Sequence, residues 1–339
     1  MSVPPASSPD CTSRRHWLAA ALATPALSLA GCATAAGPST LAATAANWQA
    51  WPMPGVRSFD LPASPLPGSG APRQHRVMVY VPQGPAPAAG WPVIYVLDGN
   101  LMFTMVAQLV HNRGARGGDL RGGSAIVVGL GHVLPEGSTE VHDRAARTYD
   151  YTLPYNGVGP DGQGRAQGGA DRFLDFIAQQ LQPRLQAALP MHLQQQTLVG
   201  HSYGGLCTLH ALFTRPGMFQ RHVAASPSLW WGGGAVLREC QAFMDRYRAS
   251  GLPSALSLYL SQGSEELASR SSASRPPNPE REAAAQAARA QGFGNTADLP
   301  AVLAAVAGLR CSYQVWPSAN HGGTQLYACM QAAQVGLAA

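Results

Sequence analysis

Short apolar runs alternate along this chain with longer stretches whose apolar residues recur every three or four positions. Residues 76–82 (Arg-Val-Met-Val-Tyr-Val-Pro) and 91–97 (Trp-Pro-Val-Ile-Tyr-Val-Leu) are the clearest runs, and the second is apolar almost throughout. A strand that lacks polar alternation is one covered on both faces. Residues 124–130 read the same way, and residues 56–61 predict a shorter first strand. Further strands are predicted over 197–199, 222–226, 256–261 and 311–316, the last with alternating character. Helices are predicted over 101–112, 170–189, 206–213, 236–247, 280–291, 298–306 and from Gln325 onward. In the second of these, Phe173, Phe176, Ile177 and Leu181 share a face that Leu185 continues. Residues 131–169 are polar and predict a long loop, a feature that in a compact domain carries function or stays disordered. Strands alternating with helices imply an α/β fold with a mostly parallel central sheet and helices on both faces. In such a sheet, active groups gather at the carboxyl ends of the strands. Ser202, Glu265, Glu266, His321 and the pair Gly99-Asn100 all fall at such ends.

Composition changes the picture mainly at the amino terminus. Hydrophobic residues make up 46% of the 339 positions and charged residues only 12%, enough apolar material for a sizeable core. The formal charge is +5, carried entirely by arginine because the chain has no lysine. The arginines are scattered, so no nucleic-acid partner is implied. Arg14-Arg15 followed by an apolar stretch over 18–29 looks like a twin-arginine export signal. The stretch is short for a bilayer span and is broken by Pro25. Leu29-Ala30-Gly31-Cys32 resembles a lipobox, which implies cleavage before Cys32 and lipidation of its thiol. A plain signal peptide with an incidental cysteine is the alternative. The expected organisation is a signal peptide over 1–31, a flexible tether over 32–55 and one catalytic domain over 56–339, exported to the periplasm and lipid-anchored to the membrane. Protein partners are not indicated by the sequence. Export permits disulfides among Cys207, Cys240, Cys311 and Cys329, with three full pairings open. Cys207 lies on an apolar helix and reads as a buried free thiol. No cysteine or histidine spacing suggests a metal site, and no cofactor is implied.

The chemistry centres on Thr197-Leu198-Val199-Gly200-His201-Ser202-Tyr203-Gly204-Gly205. A β-favouring run leads into Gly-x-Ser-x-Gly and a helical pattern leaves it, the context of a nucleophile elbow. The serine needs a strained, tight turn to stand clear of the sheet, and Gly200 and Gly204 are expected to make room for it. His201 flanks the nucleophile and is expected to pack at the elbow. A serine also needs a base. His321 lies in a loop after the last predicted strand, followed by a helix, and in this fold the base follows the acid in chain order. His75, His111, His132, His142, His192 and His222 have no such placement and read as ordinary polar residues.

Five segments carry a family resemblance: Val96-Leu97-Asp98-Gly99-Asn100, Arg147-Thr148-Tyr149-Asp150-Tyr151-Thr152, Gly200-His201-Ser202-Tyr203-Gly204-Gly205, Ser226-Pro227-Ser228-Leu229-Trp230-Trp231 and Asn320-His321-Gly322. Together, from Val56 to the carboxyl terminus, they resemble the α/β-hydrolase superfamily. Within it they resemble the esterase D-like family, and most of all the esterases that open trilactone siderophores of the enterobactin type. The elbow is shared across the superfamily; the Arg-x-Tyr-Asp-Tyr-Thr and Ser-Pro-Ser-x-Trp-Trp runs are more specific. The resemblance implies hydrolysis of an ester or lactone through an acyl-enzyme. It places the triad acid three residues past a glycine after the penultimate strand, which from Gly263 gives Glu266, with Glu265 second. Asp98 and Asp150 are further candidates, although Asp98 better suits a turn-shaping role. The implied oxyanion donors are the backbone N–H of Tyr203 and one from Gly99-Asn100. Arg147 and Arg144 would face an anionic portion of the substrate, or else pair structurally with Asp143 or Asp150. Trp230 and Trp231 would form an aromatic wall for catechol rings, or else belong to the core.

Two rivals accompany this reading. One is acyl transfer on the same fold, as in mycolyltransferases. The other is a lipid-anchored protein that binds a siderophore without cleaving it, against which the Ser202–His321 pair argues. Fold alone does not choose a substrate.

Overall fold

A computed structural model of the chain describes residues 52–115, 123–154, 164–271, 286 and 295–337. The expected signal peptide, the tether up to residue 51 and all but one residue of the expected helix over 280–291 lie outside the described residues. Eight strands form one sheet in the order β1-β2-β4-β3-β5-β6-β7-β8. They are β1 (Val56–Ala63), β2 (Arg73–Tyr80), β3 (Trp91–Val96), β4 (Ile126–His132), β5 (Met191–His201), β6 (Arg221–Ala225), β7 (Leu256–Gly263) and β8 (Leu309–Trp316). β2 pairs antiparallel with both β1 and β4, and every later pairing is parallel. This is the mostly parallel α/β sheet that the alternating pattern predicts.

The helices are α1 (Gly99–Ala115), α2 (Arg144–Tyr151), α3 (Ala170–Phe176), α4 (Gln182–Ala188), α5 (Tyr203–Thr214), α6 (Trp231–Tyr247), α7 (Ser264–Ser271), α8 (Leu299–Leu303) and α9 (Thr324–Gly336). Among the described residues none is long and apolar enough to cross a membrane. The central strands are buried on both faces, with Val93, Ile94, Tyr95 and Val96 of β3 fully shielded. That explains their unbroken apolar run. One core cluster holds α3 and α4 against the sheet, a second gathers α5, α6 and α8, and a third packs α1 and α9.

Three local departures from the sequence reading have physical causes. The expected long loop over 131–169 contains α2, whose polar composition hides it. Asp143 caps it by accepting from Ala146 N at 2.9 Å, and its buried polar groups are paired rather than apolar. The expected single helix over 170–189 is interrupted by a π-helical turn at Ile177–Leu181. The expected helix over 236–247 is preceded by a kink in α6 at Gly232, Gly233 and Gly234, whose left-handed dihedrals are not those of a right-handed helix, so its regular part begins after Gly234. The four cysteines Cys207, Cys240, Cys311 and Cys329 are free, so none of the permitted disulfides forms. A buried histidine ties the helical layer together: His210 of α5 lies 2.9 Å from Glu239 of α6 and 3.2 Å from Asp171 of α3. Burial opposes its charge, but hydrogen bonds to the two carboxylates win and raise its pKa to about 9.

Candidate active site

Parallel strands deliver their loops to one edge, and the residues singled out by sequence meet there. β5 ends at His201, and Ser202 forms the turn into α5 at φ 59° and ψ −115°. A positive φ at a serine is held by its surroundings. Space explains the glycine before it. A Cβ on Gly200 would come within 2.2 Å of Gly204 backbone atoms. Gly204 itself is less confined, its nearest would-be contact being Asp98 at 3.4 Å, so the tight position is Gly200 rather than both.

Ser202, His321 and Glu266 form a connected triad. His321 Nε2 lies 3.0 Å from Ser202 Oγ, and His321 Nδ1 lies 2.8 Å from Glu266 Oε2. His321 stands in the loop between β8 and α9, its ring half exposed. Glu266 stands at the start of α7, directly after β7, and is buried. Ser226 Oγ donates to Glu266 Oε1 at 2.6 Å and the Gly263 N–H donates to the same oxygen at 2.9 Å. Burial alone would raise the Glu266 pKa, but hydrogen bonds from His321, Ser226 and Gly263 outweigh it and lower the pKa to about 2. The carboxylate therefore stays ionised and orients the imidazole. Glu265 is exposed, and its N–H donates to Ala319 O at 3.1 Å. Asp98 and Asp150 are engaged elsewhere.

Helix geometry leaves first-turn N–H groups outside the helical ladder. Tyr203 opens α5 and Gly99-Asn100 open α1, so the backbone groups expected at an oxyanion sit at two helix starts beside the serine. The Asn100 side chain is occupied: its Nδ2 donates to His132 O at 3.0 Å, and its Oδ1 accepts from His132 N at 2.7 Å. Only its backbone is available for the expected role.

The Arg147 guanidinium pairs with neither Asp143 nor Asp150. Its Nε and Nη2 donate to the Asp98 carboxylate at 2.6 and 2.8 Å, with a longer contact of 3.4 Å to His201 O. Burial pushes the Asp98 pKa up, but Arg147 beside it brings the carboxyl below its usual range. Asp98 adopts φ 53° and its carbonyl accepts from Leu101 and Met102 N–H, so it shapes the turn as well. Arg147 nevertheless lines a cleft together with His142, Arg144, Thr148, Arg165 and Tyr203, the residue that follows Ser202. Arg144 is exposed and pairs with Glu140 at 3.2 Å. Trp231 is fully buried, with Nε1 donating to Gln167 Oε1 at 2.8 Å, so it belongs to the core and forms no wall. Trp230 is half-buried, its ring 6.2 Å from that of Tyr203.

Sequence reasoning missed Ser226, Thr324, Arg165 and His142 as site neighbours. For Ser226 a signal existed, since the strand predicted over 222–226 ends on it; in the structure it follows β6 and sits at φ 43°. One further buried cluster, His75, His132 and Asp150, groups its donor atoms within 4.8 Å. Arg73 already holds both Asp150 oxygens. The carboxylate charge is thus matched, and an added cation would face the guanidinium uncompensated.

A strained serine at a strand–helix turn, a histidine after the last strand and a buried carboxylate behind it define an α/β hydrolase site. Residues 69–294 match the family described as "Putative esterase", and the chain belongs to that family. It is 40% identical over 160 residues to the siderophore triacetylfusarinine C esterase of Aspergillus fumigatus, a match covering 47% of this chain and 51% of that protein. It is 32% identical over 186 residues to the ferri-bacillibactin esterase BesA of Bacillus subtilis, covering 53% and 63%. The matches thus span about half to two thirds of these relatives' lengths. Among solved structures, the siderophore hydrolase EstB from Aspergillus nidulans superposes with a TM-score of 0.64 at 29% identity, covering 85% of this chain and 97% of that one.

The two glutamates give a direct test. Glu266→Gln is expected to lower the rate of ester hydrolysis at least tenfold, and Glu265→Gln to leave it within about twofold. Because folding depresses the Glu266 pKa from 4.5 to about 2, its contribution to stability is present above pH 4.5 and is lost as pH falls toward 2. The resistance of wild type to urea should fall as pH drops across that window, and more steeply than that of Glu266→Gln. Equal, small rate effects of both substitutions would remove Glu266 from the triad.

Proposed function

We propose that the protein is a serine esterase that hydrolyses carboxylic ester or lactone bonds of a siderophore. The observation that carries this reading is the unbroken chain from Ser202 Oγ through His321 to Glu266, at 3.0 and 2.8 Å. His321 Nε2 takes the Ser202 proton as Oγ attacks the ester carbonyl. The oxyanion is held by the backbone N–H of Tyr203 and one from Gly99-Asn100. His321 then gives its proton to the leaving alcohol, and water attacks the acyl-enzyme by the reverse path. Arg144, Arg147 and Arg165 line the cleft, Arg147 paired with Asp98 and Arg144 with Glu140; their guanidinium groups support an anionic acyl portion, and Trp230 supports an aromatic face. The siderophore substrate follows from the family relatives, whose names record siderophore esters. The Arg14-Arg15 and Leu29–Cys32 patterns support export by the twin-arginine route and a lipid anchor on Cys32.

Wild type is expected to be labelled once by a fluorophosphonate, at Ser202, and to hydrolyse nitrophenyl esters and trilactone siderophores. Ser202→Ala should lose labelling and at least a thousandfold in turnover while remaining folded. Wild-type turnover by Ser202→Ala would remove Ser202 as the nucleophile, and siderophore binding without any turnover by the wild type would favour the non-catalytic binding protein. For the anchor, Cys32→Ala should move the protein from the membrane to the soluble fraction; unchanged fractionation would remove the lipid.

A further inference from the structure

His201 precedes the nucleophile in sequence and touches the base in space. Its ring is buried at the end of β5, with Nε2 2.8 Å from the main-chain oxygen of His321 and 3.2 Å from Thr324 Oγ1. A carbonyl oxygen only accepts, so Nε2 carries the hydrogen and donates. Thr324 Oγ1 lies 2.7 Å from the same carbonyl and sends its one proton there. The Ser226 proton is taken by Glu266, leaving the Ser226 and Thr324 oxygens 2.9 Å apart. With each hydroxyl proton assigned once, two donors converge on the His321 carbonyl.

The loop that carries His321 needs such an anchor. It ends in Gly322-Gly323, and the His321 ring is half exposed, so packing from the solvent side does not hold it. Glu266 fixes Nδ1, and Ser264 and Glu265 hold the loop at Ser318 and Ala319, but none of these bonds reaches the main chain of His321 itself. Errors near 1 Å in the placement of a reacting group cost roughly a hundredfold in rate. The rings of His201 and His321 also pack with centroids 4.7 Å apart. Burial, then the neighbouring His321, lowers the His201 pKa to about 4, which keeps the ring in the neutral form this donation uses.

We infer that His201 is a positioning residue: it fixes the main chain of His321, so that the strand which places the nucleophile also places its base. This rests on the esterase reading above. The test separates donor from ring. His201→Phe keeps an aromatic ring and loses the donor, whereas His201→Gln keeps a donor and loses the ring. With a nitrophenyl ester, His201→Phe is expected to lose about 10- to 100-fold in kcat at unchanged KM, and His201→Gln to recover most of that loss. Melting temperatures report whether each variant is folded. If His201→Phe does not fold, Thr324→Val against Thr324→Ser makes the same comparison at the second donor, with Val expected to be slower by roughly tenfold and Ser close to wild type. A folded His201→Phe with kcat within twofold of wild type, or a Gln variant as slow as Phe, would overturn the inference. So would a Val variant as fast as Ser. Absence of turnover by the wild type itself would instead overturn the esterase reading.

Discussion

The hydrogen bond between Ser202 and His321 joins side chains 119 positions apart, and the rest of the site exists to keep it short. One partner sits on a rigid turn: Gly200 lets the chain fold back against Gly204, and Ser202 accepts a positive φ to stand above the sheet. The other sits on a loop with two glycines, where order has to be imposed. Glu266 imposes it from Nδ1, and His201 and Thr324 meet the main-chain carbonyl. Ser226 and Gly263 in turn hold Glu266. His201 and Ser202 stand at the end of β5, Ser226 after β6, Gly263 and Glu266 at the end of β7, and His321 and Thr324 after β8, which is why the topology, rather than local sequence, brings them together.

Buried charge around the site follows one rule, that every ion has a partner. Asp98 is matched by Arg147, Asp150 by Arg73, and Glu266 by hydrogen bonds from three directions. Removing one member of such a pair leaves a stranded charge, which costs more than the pair contributes. Arg147 thus lines the cleft with its charge matched by Asp98.

The α/β fold, the elbow and His321 were legible because their signals are local. Strand and helix periods differ, Gly-x-Ser-x-Gly is contiguous, and the base follows the last strand. Glu266 was legible only through a spacing from Gly263 that the family resemblance supplied. Helix α2 was hidden because Arg144-Ala145-Ala146-Arg147-Thr148-Tyr149-Asp150-Tyr151 has no apolar period; it is held by pairs such as Arg147–Asp98 and by Asp98 N donating to the Tyr151 hydroxyl at 2.9 Å. Those partners lie 49 and 53 positions away. The role of Trp231 was unreadable for a similar reason. A tryptophan beside a second tryptophan says nothing about which one the core takes; here it is Trp231, whose Nε1 meets Gln167, 64 positions away. The His201 contact with a main-chain oxygen leaves no trace in sequence, because any residue at position 321 has that carbonyl.

The central claim, an acyl-enzyme on Ser202, is tested most directly by stopping turnover of a nitrophenyl ester with acid and measuring the intact protein mass, then the mass of the peptide that contains Ser202. The account predicts a single adduct equal to the acyl group less one hydrogen, confined to that peptide and absent before substrate is added. Consumption of the ester with Ser202 unmodified and the adduct on another residue would contradict it.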